Sequence, residues 1–318
     1  MRAAWFHTSK AGAGVRMIES EWVASVANLP TKCELCPRRC GVNRAAGERG
    51  VCGAADELRI ARAALHFWEE PPISGESGSG TVFFSHCPLH CVYCQNQGIA
   101  NGSVGRNITI GRLARIFLEL QEQGALNVNL VTPTHYVPQI IEALDAARGA
   151  GLVIPAVYNT SGYELPETVK MLGNRIDTYL TDFRYSSPVP ARAYSKAPDY
   201  PEVAKAAFAA MAETDADIIA RILLLPGRLE ETKESVRYLH ETYGDRIMLS
   251  MMSQYTPMGA FPLHPELEQR VSAEEFEELL DYADSIGADD YFWQDGEAAS
   301  ESFIPDFLSF EGVEGPEL

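Results

Sequence analysis

The sequence predicts an α/β fold: an open, partial TIM-type barrel of six or seven βα units, preceded by a small N-terminal four-cysteine metal or iron–sulfur region. Three observations carry this expectation. Beyond residue 100, short apolar runs of strand length alternate with segments of helical periodicity, the pattern of βαβ units wound onto a parallel sheet. The units are too few to close an eight-fold barrel. All seven cysteines fall in the first 94 residues, split four and three. Periodicity alone leaves a doubly wound sheet open as the alternative, although no Gly-x-Gly-x-x-Gly follows the first expected strand.

In chain order, residues 1–70 form the N-terminal region. They hold Cys33, Cys36, Cys40 and Cys52 among Lys32, Arg38, Arg39, Arg44 and Arg49, with no long periodic segment. Pro71-Pro72 and the Ser/Gly-rich run 74–80 read as the separator. Residues 71–300 form the barrel-like part. Its expected strands are Thr81–Ser85, Asn127–Thr132, Leu152–Tyr158, Ile176–Thr181, Asp217–Leu225 and Ile247–Ser253, with Asp290–Trp293 as a seventh. Leu113, Ile116, Phe117 and Leu120 mark one helix, and Val137, Ile140, Ile141 and Leu144 another. Ser272 and Glu275 form a capping box that opens a third, with Phe276, Leu279, Leu280 and Ala283 on one face. Residues 301–318 are an acidic C-terminal tail, expected to be mobile from Phe310 onward.

Composition narrows the function. Hydrophobic residues are 46% and charged residues 22% of 318, as in globular proteins. A net charge of −18 argues against a nucleic-acid partner, because phosphate binding needs clustered Lys and Arg. No apolar run reaches the roughly 18–20 residues of a membrane span, and residues 1–7 show no apolar signal-peptide core. The expectation is a cytoplasmic protein with no membrane partner. In that compartment, closely spaced cysteines point to metal or iron–sulfur ligation and not to a disulfide framework.

Cys87, Cys91 and Cys94 follow directly on the first expected strand as Cys-x-x-x-Cys-x-x-Cys. Three thiolates leave one iron of a cubane without a protein ligand, open to a small chelating molecule, as catalytic zinc keeps a position open. Half of a zinc ribbon, completed by ligands elsewhere, is the other reading of the spacing. His86 and His90 are given no role.

This loop resembles that of the radical S-adenosylmethionine (SAM) superfamily, in which the same spacing, with an aromatic before the third cysteine, here Tyr93, follows the first strand of a partial (β/α)6 barrel. The resemblance spans about residues 71–300. It implies a [4Fe–4S] cluster whose open iron binds SAM. One electron then cleaves SAM to methionine and a 5′-deoxyadenosyl radical that abstracts hydrogen. Catalysis would rest on Cys87, Cys91 and Cys94.

Later strand ends refine the resemblance. Tyr158-Asn159-Thr160-Ser161-Gly162, Asp182-Phe183-Arg184, and Arg221 with Pro226-Gly227 look like corresponding runs of the glycyl-radical-enzyme activases. They imply Asn159, Asp182, Arg184 and Arg221 as SAM-binding residues, with Gln254 after the sixth strand as a ribose contact. Asp182 and Arg184, two apart, point the same way on a strand; a ligand-free ion pair is their other reading. The Gly-Gly-Glu-Pro that many members carry after the second strand is replaced by Thr132-Pro133-Thr134, so Thr132 is the substitute candidate.

Cys33, Cys36, Cys40 and Cys52 make a closed four-thiolate set with no open position, which fits either zinc or a second [4Fe–4S] cluster. Their place before the three-cysteine loop, with Phe67-Trp68-Glu69-Glu70-Pro71-Pro72-Ile73-Ser74-Gly75, is similar to a subfamily named for its likeness to pyruvate formate-lyase activating enzyme. The resemblance implies a reduced flavodoxin or ferredoxin as electron donor and a glycyl-radical protein as substrate. Another peptide or a small metabolite is the competing substrate, and a non-catalytic zinc and iron–sulfur scaffold the competing class.

Overall fold

The computed structural model describes residues 29–294 and 305–318. The chain start and the 300/301 boundary lie outside the described residues. Nine strands form one sheet: β1 (Leu58–His66), β2 (Ser79–Phe84), β3 (Arg106–Ile108), β4 (Val128–Val131), β5 (Ala156–Thr160), β6 (Thr178–Asp182), β7 (Asp217–Leu223), β8 (Met248–Met252) and β9 (Tyr291–Gln294). Their order is β3-β1-β2-β4-β5-β6-β7-β8-β9. From β2 to β9 every neighbour is parallel, whereas β1 pairs antiparallel with β2 and β3. The parallel strands add in chain order with no reversal point, which removes the doubly wound alternative. The sheet is open, with β3 and β9 as its edges, in keeping with a partial barrel.

The helices are α1 (Pro71–Ser74), α2 (Gln97–Ala100), α3 (Ile110–Glu122), α4 (Val137–Gly149), α5 (Pro166–Leu172), α6 (Pro188–Ser195), α7 (Tyr200–Ala212), α8 (Leu229–Tyr243) and α9 (Ala273–Ser285). The Ser272–Glu275 capping box opens α9. Apolar residues of α3, α4, α7, α8 and α9 pack with outward-facing strand residues such as Val128, Tyr158, Tyr179, Ile218 and Leu249 in the main core. No described helix is long and apolar enough to cross a membrane.

Alternation along the strands sorts the inner face into layers. Val157, Leu180, Ile219 and Met248 make an apolar lower layer, filled by Ile73 of α1. Two residues further along each strand stand Asn159, Asp182, Arg221 and Ser250, so the next layer is polar and charged. The chain from β1 to β2 therefore runs beneath the inner face and plugs it.

Three expectations are corrected. The strand expected at Leu152–Tyr158 begins only at Ala156; Leu152 donates to the Ala147 carbonyl at 2.9 Å, closing α4, and Val153 is exposed. The region before residue 70 contributes β1 to the sheet, a strand hidden by its alanines and arginines. The tail is also anchored. Arg112 donates to the carbonyls of Gly312, Val313, Glu314 and Pro316 at 3.0 Å each, Ala63 N donates to the Glu311 carbonyl at 2.8 Å, and Val313 is buried. Acidity and glycine content could not reveal a buried arginine collecting those carbonyls.

Candidate active site and the four-cysteine region

The three-cysteine loop leaves β2 through His86 and passes His90, both in the left-handed region at φ 76° and 54°. Such residues persist only where their surroundings hold them. His86 N donates to the Ile99 carbonyl and Val92 N to the Tyr194 carbonyl, both at 2.8 Å, which pins the loop at two points. The Cys91 sulfur lies 2.9 Å from Ser195 Oγ and 3.7 Å from Arg184 Nη1.

Cys87, Cys91 and Cys94 line a cavity of about 250 Å³. Its walls also carry Thr132, Asn159, Asp182, Arg184 and Arg221. Tyr93 lies behind the loop, buried, its hydroxyl 2.8 Å from that of Tyr185. Gln254 is not among the lining residues.

The charged wall is one connected network. Asp182 accepts from Arg184 Nη2 at 2.5 Å and from Arg221 Nε at 2.9 Å, and Arg221 Nη2 donates to Asn159 Oδ1 at 2.6 Å. Burial alone would raise the Asp182 carboxyl, but the Arg221 and Arg184 guanidiniums outweigh it and hold the group below its ordinary value. Asp182 is thus spent on holding two guanidiniums. Arg184 Nε is buried and has no partner among the described residues. Thr132, at φ 60°, donates its amide to the Asn159 carbonyl at 2.9 Å.

Sequence reasoning missed two carboxylates that the plug delivers from below. Glu69 lines the cavity, accepts from Asn129 and Asn159 at 3.3 Å, and lies 3.5 Å from Arg221 Nη1. Glu70, 2% exposed, accepts from Ser250 Oγ at 3.1 Å; its other oxygen has no partner, and burial pushes the carboxyl up to about 7. Their only sequence signal was two adjacent acids before Pro71-Pro72. Glu164 was also missed. It is buried, accepts at 2.6 Å from both Thr134 and Thr160, and is pushed up to about 7 by burial.

The donor chemistry fits a cubane at the three-cysteine loop. Burial pushes the Cys94 thiol up to about 12 and raises Cys87 as well, so thiolates here need a metal cation to neutralise them. Among the described residues, no three His, Cys, Asp or Glu side chains could hold a single ion. A cubane does not require that, because each thiolate takes its own iron.

The four other cysteines form a knuckle beside this loop. Cys33 N donates to the Val42 carbonyl and Gly41 N to the Cys33 carbonyl, at 2.9 and 3.0 Å. Cys33, Cys36 and Cys52 are buried and Cys40 is half-buried; all seven thiols are free.

Residues 81–239 match the Radical SAM superfamily. The chain belongs to that superfamily. A curated relative, uncharacterized protein MJ0674 of Methanocaldococcus jannaschii, is 28% identical over 271 residues, covering 82% of this chain and 77% of that one. Among solved structures, a radical SAM methyltransferase from Sphaerobacter thermophilus superposes with a TM-score of 0.50 at 15% identity, over 71% of this chain and 69% of that one. Streptococcus suis SuiB bound to S-adenosylmethionine gives 0.48 at 15% identity, over 70% of this chain and 52% of SuiB. This radical SAM chain therefore spans about half the length of SuiB, and at such identity the methyltransferase likeness is one of fold.

Proposed function

We propose that this chain is a radical SAM enzyme that cleaves SAM reductively and directs the radical at a backbone glycine of a partner protein. The observation that carries the cleavage step is the single cavity on which three free thiols face a guanidinium–carboxylate wall. When bound, the cluster supplies the electron that breaks the sulfonium bond. Cys87, Cys91 and Cys94 would hold three of its irons and leave the fourth to SAM. Arg184 and Arg221, both lining the cavity, would receive the SAM carboxylate. Asp182 positions Arg184 and Arg221 without spending itself on ligand. Asn159 is oriented by Arg221, and Glu69 offers acceptor oxygens to a ribose hydroxyl or the SAM ammonium.

The glycine substrate is supported by the likeness of the Asn159, Asp182–Arg184 and Arg221 runs to those of glycyl-radical-enzyme activases. Anaerobic reconstitution with iron, sulfide, SAM and a low-potential reductant tests the proposal. Methionine and 5′-deoxyadenosine are expected, and no SAM cleavage by fully loaded, reduced protein would overturn the reading. A glycyl-radical signal on a candidate partner protein supports the finer substrate assignment. Radical transfer to another peptide or a small metabolite would replace it.

A further inference from the structure

Four observations about the N-terminal knuckle converge. First, its thiols are closed in. Cys33, Cys36 and Cys52 are each less than a tenth exposed, and a Cβ at Gly50 would lie 2.4 Å from the Cys40 sulfur. Four thiolates with no vacant position suit a structural ion or a saturated cluster.

Second, a buried cation waits beside them. Arg44 is 1% exposed, its Nε and Nη1 donate to the Ala55 and His135 carbonyls, and its Nη2 has no partner among the described residues. Among the described residues no carboxylate pairs with it, although a buried guanidinium without an anion is costly. It lies within electrostatic reach of Cys52. Four thiolates outweigh the charge of the metal core they bind and supply the missing anion.

Third, the four thiols face one another: Cys36 is within electrostatic reach of Cys33 and Cys52, and Cys52 of Cys33 and Cys40. Beside a loop whose thiols suit a cubane, such a closed set of four suits a second one. A cubane spreads its thiolates over separate irons.

Fourth, the knuckle is docked on the SAM-cluster loop. His90 Nε2 donates to the Val51 carbonyl at 2.8 Å, and Arg38 Nε donates to the Pro88 carbonyl at 2.9 Å. Gly53, at φ 87°, lies so close to His86 that a Cβ would stand 2.9 Å from Nδ1. Val51 precedes Cys52 and His90 precedes Cys91, so one hydrogen bond joins the neighbours of two thiol ligands.

We propose that Cys33, Cys36, Cys40 and Cys52 bind a second [4Fe–4S] cluster that passes single electrons to the cluster held by Cys87, Cys91 and Cys94. The relay rests on the function proposed above; the metal site does not. A low-potential one-electron donor of the flavodoxin or ferredoxin class is oxidised and reduces the second cluster by one electron. That cluster returns to its oxidised state on reducing the SAM-binding cluster, whose electron is consumed in breaking the C5′–S bond. No proton or further co-reactant is needed. Cys40, the half-buried ligand, marks the side open to the donor.

Metal analysis and electron paramagnetic resonance on the anaerobically reconstituted full chain, before and after addition of SAM, test the site. About eight irons and no zinc are expected. Cys33→Ala/Cys36→Ala should retain about four irons and a signal that SAM perturbs, while reduction of the remaining cluster by flavodoxin becomes several-fold slower. Stoichiometric zinc, or the same iron content in the double variant and the wild type, would overturn the site. An unchanged reduction rate would overturn the relay. Should the double variant fail to fold, Arg44→Gln leaves every ligand in place. It should keep the iron content and lower the second cluster's midpoint potential, because an adjacent positive charge favours the reduced state; an unchanged potential would remove Arg44 as the counter-charge and overturn the assignment. Loss of SAM cleavage with eight irons intact would count against the function and not against this site.

Discussion

The three-cysteine loop and the four-cysteine knuckle stand within one hydrogen bond of each other, yet they are built to opposite ends. Around the loop, the thiols share a cavity with Arg184, Arg221 and Glu69, the last held only by long contacts. Around the knuckle, glycines press on the sulfurs and histidine, and one buried guanidinium sits against them. The difference teaches how an open donor set is recognised. Its signature is charged and polar side chains lining a shared cavity, whereas a closed set has its sulfurs packed against backbone and buried side chains.

Three experiments break or sharpen that contrast. The largest effect is expected from replacing Cys87, Cys91 and Cys94 together by Ala. About four irons and all 5′-deoxyadenosine formation should be lost, and persistence of the product in chromatographic assays would show that the open set lies elsewhere. Next is Arg184→Ala. A lost hydrogen bond to a charged group costs about 1.5–3 kcal/mol, or roughly ten- to a hundred-fold in SAM affinity. Iron content should stay unchanged, and equilibrium binding with the same dissociation constant would return Arg184 to a purely structural pair with Asp182.

The smallest effect concerns Glu164, near Cys36 under the knuckle. Burial raises its carboxyl from 4.5 to about 7. The folded chain therefore binds a proton more tightly than the unfolded chain, and stability falls as pH rises between those values. The loss approaches about 1 kcal/mol per pH unit around pH 5.5–6.5. Glu164→Gln should remove that slope, so thermal melts of variant and wild type should diverge as pH rises from 5 to 7. Parallel curves would mean that Glu164 stays ionised in the folded state.

Much of this organisation was legible in the chain itself. Apolar runs located the parallel strands because strands buried on both faces must read as continuous hydrophobic segments. Asp182 and Arg184 do meet, as their two-residue spacing suggested, although β6 ends at Asp182 and Arg184 stands in the loop beyond it; the three cysteines were marked by their spacing. What stayed hidden depends on partners distant in sequence. β1 carries Ala61, Ala63 and Ala64, poor strand formers, and owes its conformation to β2, β3 and the tail that covers it. Nothing in the sequence marks Glu69 and Glu70 as inward-facing. Only the passage of the chain under the sheet turns them inward.

That passage also sets an order of traffic. With Ile73 packed among Val157, Leu180, Ile219 and Met248, the lower end of the inner face is shut, and the rim beside the cysteines is the doorway. A molecule seated deep, against Glu69 and Arg221, arrives before anything that covers the rim and departs after it. Under the function proposed above, binding would then be ordered: the small molecule enters before a partner that covers the rim, and its fragments leave after that partner has gone.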